Sequence, residues 1–519
     1  MRIQNSLKNI LFGLSGQLLS IGMGFAVRTV FIYTLGVEYL GVDGLFTSIL
    51  IMFSLANLGF DTAIIYSLYK PLAENDIYKI QALMNLYQKA YRLIGLIVLL
   101  LGLALLPFLP YIMNAHTTIE NINMIYLLFL VSSVSSYYFV YKQSIIIADQ
   151  RNHVISKIHS IFTIISHSLQ IFLLVVISNY ILVLIVQLAL RVIENIYIAN
   201  TANKLYPYLQ GKNNAKLSKE DRKLFFENLY ALLLYKISGV VINGTDNIVI
   251  SKFIGIIWVG MYSNYLLILN TLNTLLGYFF YSVTASVGNL NVKEGAEKKY
   301  FIFRVINLAN FWIYGFCTVC LWNLMNPFIT LWLGEDYVFN KYIIFFIILN
   351  FFTAGMQNTV TTFRETTGLF KKGKYRPIIA AVINIVVSII LAKYIGIAGV
   401  FLGTIISRLC TYFWYDPYII FNLVFKKSVK LYFAKYGLYV VLVLVAVIIT
   451  DILGNLFNNS IVSNMVIRSI VCLVIPNTIF LMAFRKSEEF EYLNDLSKTL
   501  INKIISRRLA HKNSSKTYL

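Results

Sequence analysis

The sequence predicts an all-α integral membrane protein with about fourteen transmembrane helices. Of its 519 residues, 58% are hydrophobic and 13% are charged, and the mean hydropathy is +0.71. Soluble domains carry about 25% charged residues. The hydrophobic residues form runs of about 20 or more, the length that a helix needs to cross about 30 Å of hydrocarbon. The formal charge of +21 does not indicate nucleic-acid binding, because the cations lie between apolar runs.

Fourteen apolar runs are long enough to be transmembrane helices. We predict spans at residues 9–35, 43–68, 90–113, 122–147, 155–178, 180–201, 227–252, 256–288, 302–324, 338–363, 377–394, 396–422, 432–452 and 464–484. The first run is too long for a signal-peptide core and lacks a small-residue cleavage site, so we expect it to remain as the first span. All four cysteines lie inside predicted spans, where packing is their expected role: Cys317, Cys320, Cys410 and Cys472.

The positive charges are distributed unevenly when the spans are threaded across a membrane. With the N-terminus inside, 36 of the 44 Lys and Arg residues fall on the cytoplasmic side, 3 in outer loops and 5 within spans. Cytoplasmic loops carry an excess of Lys and Arg, so this ratio predicts that both termini are cytoplasmic. The outer three are Lys252, Lys341 and Lys393, and the five within spans are Arg28, Arg191, Lys236, Arg408 and Arg468.

Two cytoplasmic segments lie outside the spans. Ser218 and the acidic residues after it form a capping box, which predicts the start of a short cytoplasmic helix. Residues 487–519 form a tail that we interpret as an amphipathic helix on an anionic inner leaflet, or alternatively as a solvated tail. Its apolar face and its cations are Leu493, Leu496, Leu500 and Ile504, with Lys498, Lys503, Arg507 and Arg508.

Spans 1–6 resemble spans 7–12 at an offset near 220 residues. The matched stretches are 33–44 with 252–263 (Gly36 and Gly41 against Gly255 and Gly260), 142–156 with 364–378, and Arg191 with Arg408. Because six is even, both halves start on the same side, and transporters with such repeats bind substrate between the halves. The predicted domains are an N-lobe (1–203), a cytoplasmic linker (204–225), a C-lobe (226–425), two appended helices (426–486) and the tail (487–519).

Charged residues inside spans are the candidate functional residues, because each costs about 2.5–3.5 kcal/mol at a helix centre. Four cations predict a cationic cavity for phosphate or another anion, which Arg binds well: Arg28, Arg191, Lys236 and Arg408. Four further residues are candidates for coupling or gating: Asp61, Glu194, Asn243 and Asp246.

Each candidate also has a structural interpretation. Arg191 and Glu194 lie one helical turn apart and are able to neutralise each other as a local ion pair. Lys236 is close enough to the inner end of its span to extend to the interface. Asp61 has a capping or structural alternative, and Arg468 is interpreted as an interfacial or partner contact.

Two relationships between these charges are expected. Arg28 and Asp246 lie at similar depth on equivalent spans, which suggests an ion pair that closes the outer face. Arg408 has no acidic residue one turn away, and Asp416 is its nearest candidate partner. Arg408 is therefore the stronger candidate for a cavity cation.

Several motifs resemble bacterial polysaccharide repeat-unit flippases of the Wzx type, in the multidrug/oligosaccharidyl-lipid/polysaccharide exporter (MOP) superfamily. They are YLGVDGLFTSILIMFSLANLGFDTAIIYSLYKPLAEND (39–76), IADQRN (147–152), TDNIVISKFIG (245–255) and RETTGLFKKGKYRP (364–377). The resemblance implies a two-lobed, MATE-like bundle in the bacterial cytoplasmic membrane. It also implies that the bundle moves an undecaprenyl-pyrophosphate-linked oligosaccharide to the outer leaflet by alternating access, for capsule, exopolysaccharide or O-antigen synthesis.

The resemblance also bears on coupling and partners. It implies a monomer among membrane lipids that works with a polysaccharide polymerase or export machinery, with no cofactor other than coupling to H⁺ or Na⁺. Relatives often carry an acidic residue in span 2 where this chain has Asn57, so Asp61 is the substitute expected here.

Other functions remain as alternatives. A murein lipid-precursor flippase and a small-molecule exporter belong to the same superfamily. A membrane polymerase or ligase is disfavoured, because the longest outer loops are about 13 residues and no catalytic set or metal motif is visible. We therefore expect a transporter, not an enzyme.

Overall fold

Every regular element in the described part of the chain is helical. The computed structural model describes residues 2–54, 60–113, 119–210, 215–369, 372–373, 375–456 and 460–499. Some side chains within the helices also lie outside the description: residues 2–15, 62, 224, 228, 231–232, 234–238, 242–243, 281–282, 285 and 292. The predicted all-α class is confirmed.

The helices are long and apolar enough for a multi-pass membrane protein. In the described residues, ten helices meet the length and hydropathy that spanning requires. Ile122–Tyr137 and Tyr141–Ala148, bent by 48° at their junction, make an eleventh if counted together. The other three predicted spans, 43–68, 227–252 and 256–288, are also helical wherever they are described.

Contacts divide the chain into two compact units. Unit 1 contains Met1–Thr271 and Gly373–Ser407, and unit 2 contains Leu272–Lys372 and Arg408–Leu519. The lobe, linker and appended-helix boundaries expected from the repeat stay predictions.

The helices of unit 1 are mostly those of the first half of the sequence. They are α1 (Arg2–Leu35), α2 (Val37–Phe53), α3 (Phe60–Glu74), α4 (Ile77–Leu105), α5 (Leu109–Ile112), α6 (Ile122–Tyr137), α7 (Tyr141–Ala148), α8 (Asn152–Val176), α9 (Tyr180–Leu205), α10 (Lys219–Phe253), the start of α11 (Ile256–Lys293), α15 (Arg376–Ile395) and most of α16 (Ile397–Cys410). Short 3₁₀ turns occur at Leu106–Phe108 and Pro207–Leu209.

Unit 2 contains most of α11 and the helices towards the C-terminus. They are α12 (Ala296–Leu333), α13 (Lys341–Gly355), α14 (Asn358–Thr366), α17 (Tyr412–Ile420), α18 (Lys430–Asn455), α19 (Ile461–Phe484) and α20 (488–499). A 3₁₀ turn at Glu335–Tyr337 and a π-helical turn at Phe421–Phe425 complete the unit. Aromatic rings fill its core, with Phe311 stacked on Tyr439 at 4.1 Å between centroids.

The glycines matched by the repeat lie where α2 and α11 cross within unit 1. Gly36 and Gly255 precede these helices with φ of 87° and 131°, a conformation that favours glycine. A Cβ on Gly41 would lie 2.1 Å from the Ile256 carbonyl oxygen, and a Cβ on Gly260 would lie 2.1 Å from that of Val37. The repeated glycines therefore permit reciprocal backbone contact between the two helices.

The capping box at Ser218 begins a long helix. The Ser218 hydroxyl accepts a hydrogen bond from the Asp221 backbone N–H at 3.0 Å. The expectation of a separate short helix was wrong, because no proline interrupts the chain and α10 continues into span 7. Hydrogen bonds from Lys79, at 2.8 Å, and from Ser218 hold the pKa of the Asp221 carboxyl below its usual value.

The C-terminal tail begins with a helix that packs on unit 2. In α20, Glu488 and Glu489 form ion pairs with Arg304 of α12 at 2.5 and 3.4 Å, and Glu489 also pairs with Lys435 of α18. Phe490 stacks on Trp312 at 5.8 Å. Leu500, Ile504, Lys503, Arg507 and Arg508 lie outside the described residues, so the membrane-surface interpretation of the tail stays a prediction.

Candidate functional site

A polar cavity of about 630 Å³ lies within unit 1. Its walls come from α2, α3, α6, α8 and α9. Small-molecule sites typically occupy about 300–1,000 Å³. Of the eight candidate residues, this cavity brings three together: Asp61, Arg191 and Glu194.

One wall of the cavity is lined by hydroxyl groups. Ser132, Ser133 and Ser136 of α6 lie on it, because residues three and four positions apart share a side of a helix. Thr163 and Ser166 of α8 add two further hydroxyls. Hydroxyls both donate and accept hydrogen bonds, so this wall suits a polyhydroxylated ligand.

A charged cluster lies at the α8–α9 side of the cavity. His159 Nδ1 lies 2.9 Å from Glu194 Oε1. The alternative of a local Arg191–Glu194 ion pair is not what the structure shows, since Glu194 pairs across to α8 instead. No described residue forms an ion pair or hydrogen bond with Arg191, so its guanidinium is available to a ligand.

Histidine is the type of residue that the sequence analysis missed here. His159 and His167 both line the cavity, although neither was a candidate. Their spacing of eight residues on α8 places both on the same side of the helix as Ser166. This helical spacing was the available signal.

Asp61 joins the cavity to a pair of buried tyrosines. Its carboxylate accepts hydrogen bonds from the hydroxyls of Tyr91, at 2.7 Å, and Tyr87. Ser144 donates to the Tyr87 hydroxyl oxygen at 3.3 Å. Asp61 also lies in the first turn of α3, where a carboxylate interacts favourably with the helix dipole. A structural role and a cavity role are therefore compatible.

Arg28 is placed away from this cavity, beside Asp43. The Asp43 carboxylate interacts electrostatically with Arg28 and accepts a hydrogen bond from Tyr180 at 3.1 Å. Arg28 does not form the expected pair with Asp246 in this conformation. Asp43 was not among the candidate residues, because it lies at the predicted start of span 2.

Asp246 lies in a buried polar network of α10, α15 and α16. Thr404 donates to its carboxylate at 3.4 Å and accepts from Asn384 at 2.9 Å. Asn384 in turn accepts from the Thr245 hydroxyl at 3.2 Å. The side chains of Lys236 and Asn243 lie outside the described residues.

In unit 2, Arg408 donates hydrogen bonds to oxygens of α13. Its Nη1 donates to the Asn350 carbonyl and side-chain oxygens at 3.0 and 2.7 Å and to the Thr353 hydroxyl at 2.8 Å. Asp416, its expected candidate partner, is instead 3.2 Å from Arg364. Both side chains of that pair are at most 3% exposed. The four candidate cations are thus not gathered into the unit 1 cavity, where only Arg191 lies among those described.

Comparison with known proteins identifies the fold. No family model and no curated protein sequence matches the chain. It is similar in structure to the lipid II flippase MurJ in an inward closed conformation, with a TM-score of 0.64 and 19% identity over 92% of this chain and 100% of that one.

Two MATE structures give similar results. An inward-facing multidrug resistance MATE transporter of the MOP superfamily has a TM-score of 0.62 and 14% identity, over 78% of this chain and 95% of that one. A single-residue mutant of the Vibrio cholerae MATE transporter VcmN has a TM-score of 0.55 and 12% identity, over 82% of this chain and 99% of that one. The predicted MATE-like fold is therefore confirmed.

Proposed function

We propose that this chain is a MOP-superfamily flippase of the bacterial cytoplasmic membrane. Its substrate is an undecaprenyl-pyrophosphate-linked oligosaccharide repeat unit, moved from the inner to the outer leaflet by alternating access for capsule, exopolysaccharide or O-antigen synthesis. The observation that carries the proposal is the unit 1 cavity, where Arg191 has no described protein partner and hydroxyls line the wall. The fold shared with MurJ supports it.

The cavity suits the two chemical parts of such a head group. A guanidinium binds phosphate oxygens with two parallel hydrogen bonds. Ser132, Ser136 and Gln187 line the same space and are able to exchange hydrogen bonds with sugar hydroxyls. No bond to the substrate is made or broken, so the chain acts as a transporter and not as an enzyme.

The other candidate cations have a role in the same proposal. Arg408 donates hydrogen bonds to the Asn350 side-chain oxygen and the Thr353 hydroxyl, and in this proposal its guanidinium contributes positive charge to the binding of an anionic substrate. Arg28 is partly neutralised by Asp43 and serves to position the outer end of α1. Lys236, whose side chain lies outside the described residues, completes the set of cations predicted to attract an anionic lipid.

Coupling to H⁺ or Na⁺ is proposed at the buried carboxylates. Asp246 lies among the hydroxyl and amide oxygens of Thr404, Thr245 and Asn384, the type of ligands that a hard cation prefers. Asp61 and Glu194 border the cavity, where protonation would change its charge. Asn243 and Asp246 lie on one helix, so a cation bound there would act on α10.

A flipping assay tests the proposed function. In vesicles that contain the purified chain and a lipid-linked oligosaccharide, leaflet-specific access reports flipping. Losing a charge-assisted hydrogen bond of about 1.5–3 kcal/mol predicts that Arg191→Gln slows flipping about 10- to 100-fold. Arg485→Gln, at the end of α19, is the matched control. Unchanged flipping in Arg191→Gln and in Arg28→Gln and Arg408→Gln would refute a cationic substrate path.

Two alternatives differ in substrate. A murein lipid-precursor flippase is favoured by the similarity to MurJ, and a small-molecule exporter is favoured by the similarity to MATE transporters. The same vesicles, loaded with lipid II or with a cationic dye, separate the three functions. Transport of lipid II or the dye, without transport of the repeat-unit lipid, would replace the proposal.

A further inference from the structure

A second polar pocket lies within unit 2. It has a volume of about 330 Å³ and is formed by the end of α12, the 3₁₀ turn after it, the start of α13, the end of α18 and the start of α19. These helix ends face the outside in the predicted topology. None of the candidate residues whose side chains are described lines this pocket.

Arg468 of α19 faces this pocket from within a span. Its Nη2 donates to the Asn455 side-chain oxygen at 2.6 Å, and no described carboxylate forms an ion pair with it. Gly454 makes room for the arginine, since a Cβ there would lie 3.1 Å from Arg468 Cγ and Nη1. A charge inside a span faces a partner or a water-filled cavity. The cation therefore points to a ligand that carries negative charge.

Asn323 provides a second, independent indication of a ligand. It lines the pocket, its side chain is 1% exposed, and its amide nitrogen donates to Val319 and Thr450 at 2.9 Å. Its amide oxygen accepts no hydrogen bond from any described group. A buried acceptor without a donor costs about 1–3 kcal/mol, which a hydroxyl of a bound molecule would recover.

The remaining lining groups suit a sugar. Asn326, Asn455 and Asn464 add amide groups to the lining, and amides exchange hydrogen bonds with hydroxyls in both directions. The Asn326 amide nitrogen also donates to the Phe339 carbonyl at 2.8 Å, which fixes its orientation. Trp322 adds an aromatic side chain to the lining. Lys341 and Asp451, paired at 3.4 Å, and Glu335 also line the pocket. Two carboxylates therefore balance its two cations, and Arg468 is the local anion-binding group of a lining that is neutral overall.

We propose that this pocket is a second glycan site, which binds a saccharide that carries an anionic group. The anion binds Arg468, and hydroxyls bind Asn323 and Asn464. The choice of a saccharide rests on the proposed flippase function. In this proposal the site binds the oligosaccharide at the outer face. The function of α18 and α19 is then to form part of this site, because they supply Asn455 and Arg468.

Equilibrium dialysis of radiolabelled glucuronate against the full chain in phosphatidylcholine nanodiscs tests this site. We expect radiolabelled glucuronate to bind. Unlabelled glucose and inorganic phosphate should each compete at least about tenfold less well than unlabelled glucuronate, because glucose lacks the anionic group and phosphate lacks the sugar ring. Arg468→Gln should weaken glucuronate binding at least about tenfold. Arg485→Gln, an arginine at the other end of α19, should leave it unchanged.

Asn323→Ala tests the buried acceptor, with the thermal unfolding midpoint as its check on folding. If Asn323→Ala does not fold, Asn464→Ala tests the proposed contacts to the hydroxyls from α19. Either variant should weaken glucuronate binding. Absence of binding, unchanged binding in Arg468→Gln, or phosphate competing as well as glucuronate would each overturn the assignment. No transport is measured, so failure here is distinct from failure of the flipping assay with Arg191→Gln.

Discussion

At the scale of single residues, charge pairing inside the bundle is specific and connects different helices. Glu194 of α9 pairs with His159 of α8. Arg364 of α14 pairs with Asp416 of α17, with both side chains buried. Such pairs do not necessarily stabilise a fold relative to apolar residues, but removing one partner leaves a buried charge uncompensated.

The Arg364–Asp416 pair therefore predicts a large loss of stability in a single variant. Asp416→Asn should lower the free energy of unfolding by about 3–5 kcal/mol, because Arg364 stays buried and charged. Thermal unfolding of the purified chain in detergent measures the effect. Glu294→Gln, which removes the exposed pair with Lys298, is the control and should change stability by at most about 1 kcal/mol. Equal midpoints for the two variants would contradict the prediction.

At the scale of elements, close backbone contact between α2 and α11 depends on glycine. Gly41 and Gly260 meet the backbone of Ile256 and Val37, respectively. Neither contact leaves space for the methyl group of an alanine. The nearest atoms are backbone atoms, which cannot move aside as the end of a flexible side chain can. The crossing thus depends on two positions that the repeat pairs with each other.

Gly41→Ala and Gly260→Ala should each lower the thermal midpoint, because the helices must separate to admit a Cβ. The expected destabilisation is about 1–3 kcal/mol, the range seen for overpacked sites. Gly277→Ala, also in α11 but with open space around it, is the matched control and should be neutral or slightly stabilising. A midpoint unchanged in all three variants would show that the crossing tolerates separation.

The docking of α20 on unit 2 should depend on pH. Burial alone would raise the pKa of Glu489, but hydrogen bonding to Lys435 and the charge of Arg304 lower it overall. A lowered pKa in the folded state means that this contribution to stability is complete above the unfolded pKa. It is lost as the pH falls through the folded pKa.

Hydrogen exchange of residues 488–499 measures this docking. Exchange protection should decrease as the pH falls through the lowered folded-state pKa of Glu489, where the carboxylate takes up a proton. Glu489→Gln should reduce protection already at pH 7 and remove this acid dependence. Glu491→Gln, on the exposed side of α20, should behave as the native chain does. Full protection in Glu489→Gln would mean that aromatic packing alone holds the helix.

At the scale of the whole molecule, the fold is that of MurJ and MATE transporters, and the chain crosses the membrane many times. The orientation rests on charge: 36 of the 44 Lys and Arg residues lie on one side of the predicted topology. Translocating basic loops is unfavourable, so this excess predicts that both termini are cytoplasmic.

Site-directed labelling tests the orientation. In a chain where the exposed Cys410 is replaced by serine, a membrane-impermeant maleimide applied to intact cells should label Asp336→Cys and not Lys486→Cys. Inverted vesicles should give the opposite result. The serine variant without an added cysteine is the control for background labelling. Labelling of Lys486→Cys from outside would reverse the topology.

Composition and hydrophobic runs predicted the membrane environment, the helical class and an orientation. Of the fourteen predicted spans, eleven meet the length and hydropathy that spanning requires in the described residues, if the bent pair is counted as one. These properties follow from local composition, since any run of about 20 apolar residues must satisfy its own backbone hydrogen bonds in lipid. The repeat also identified the glycines that meet between α2 and α11.

Only the tertiary structure decided which charges meet. Helical spacing tells which residues share a side of one helix, but not which helix lies opposite. For that reason Arg28 lies beside Asp43 rather than Asp246, and Glu194 beside His159 rather than Arg191. The same reason explains why Arg468, which the sequence suggested as an interfacial contact, lies in a polar pocket. The partners lie on different helices, and helix packing brings them together.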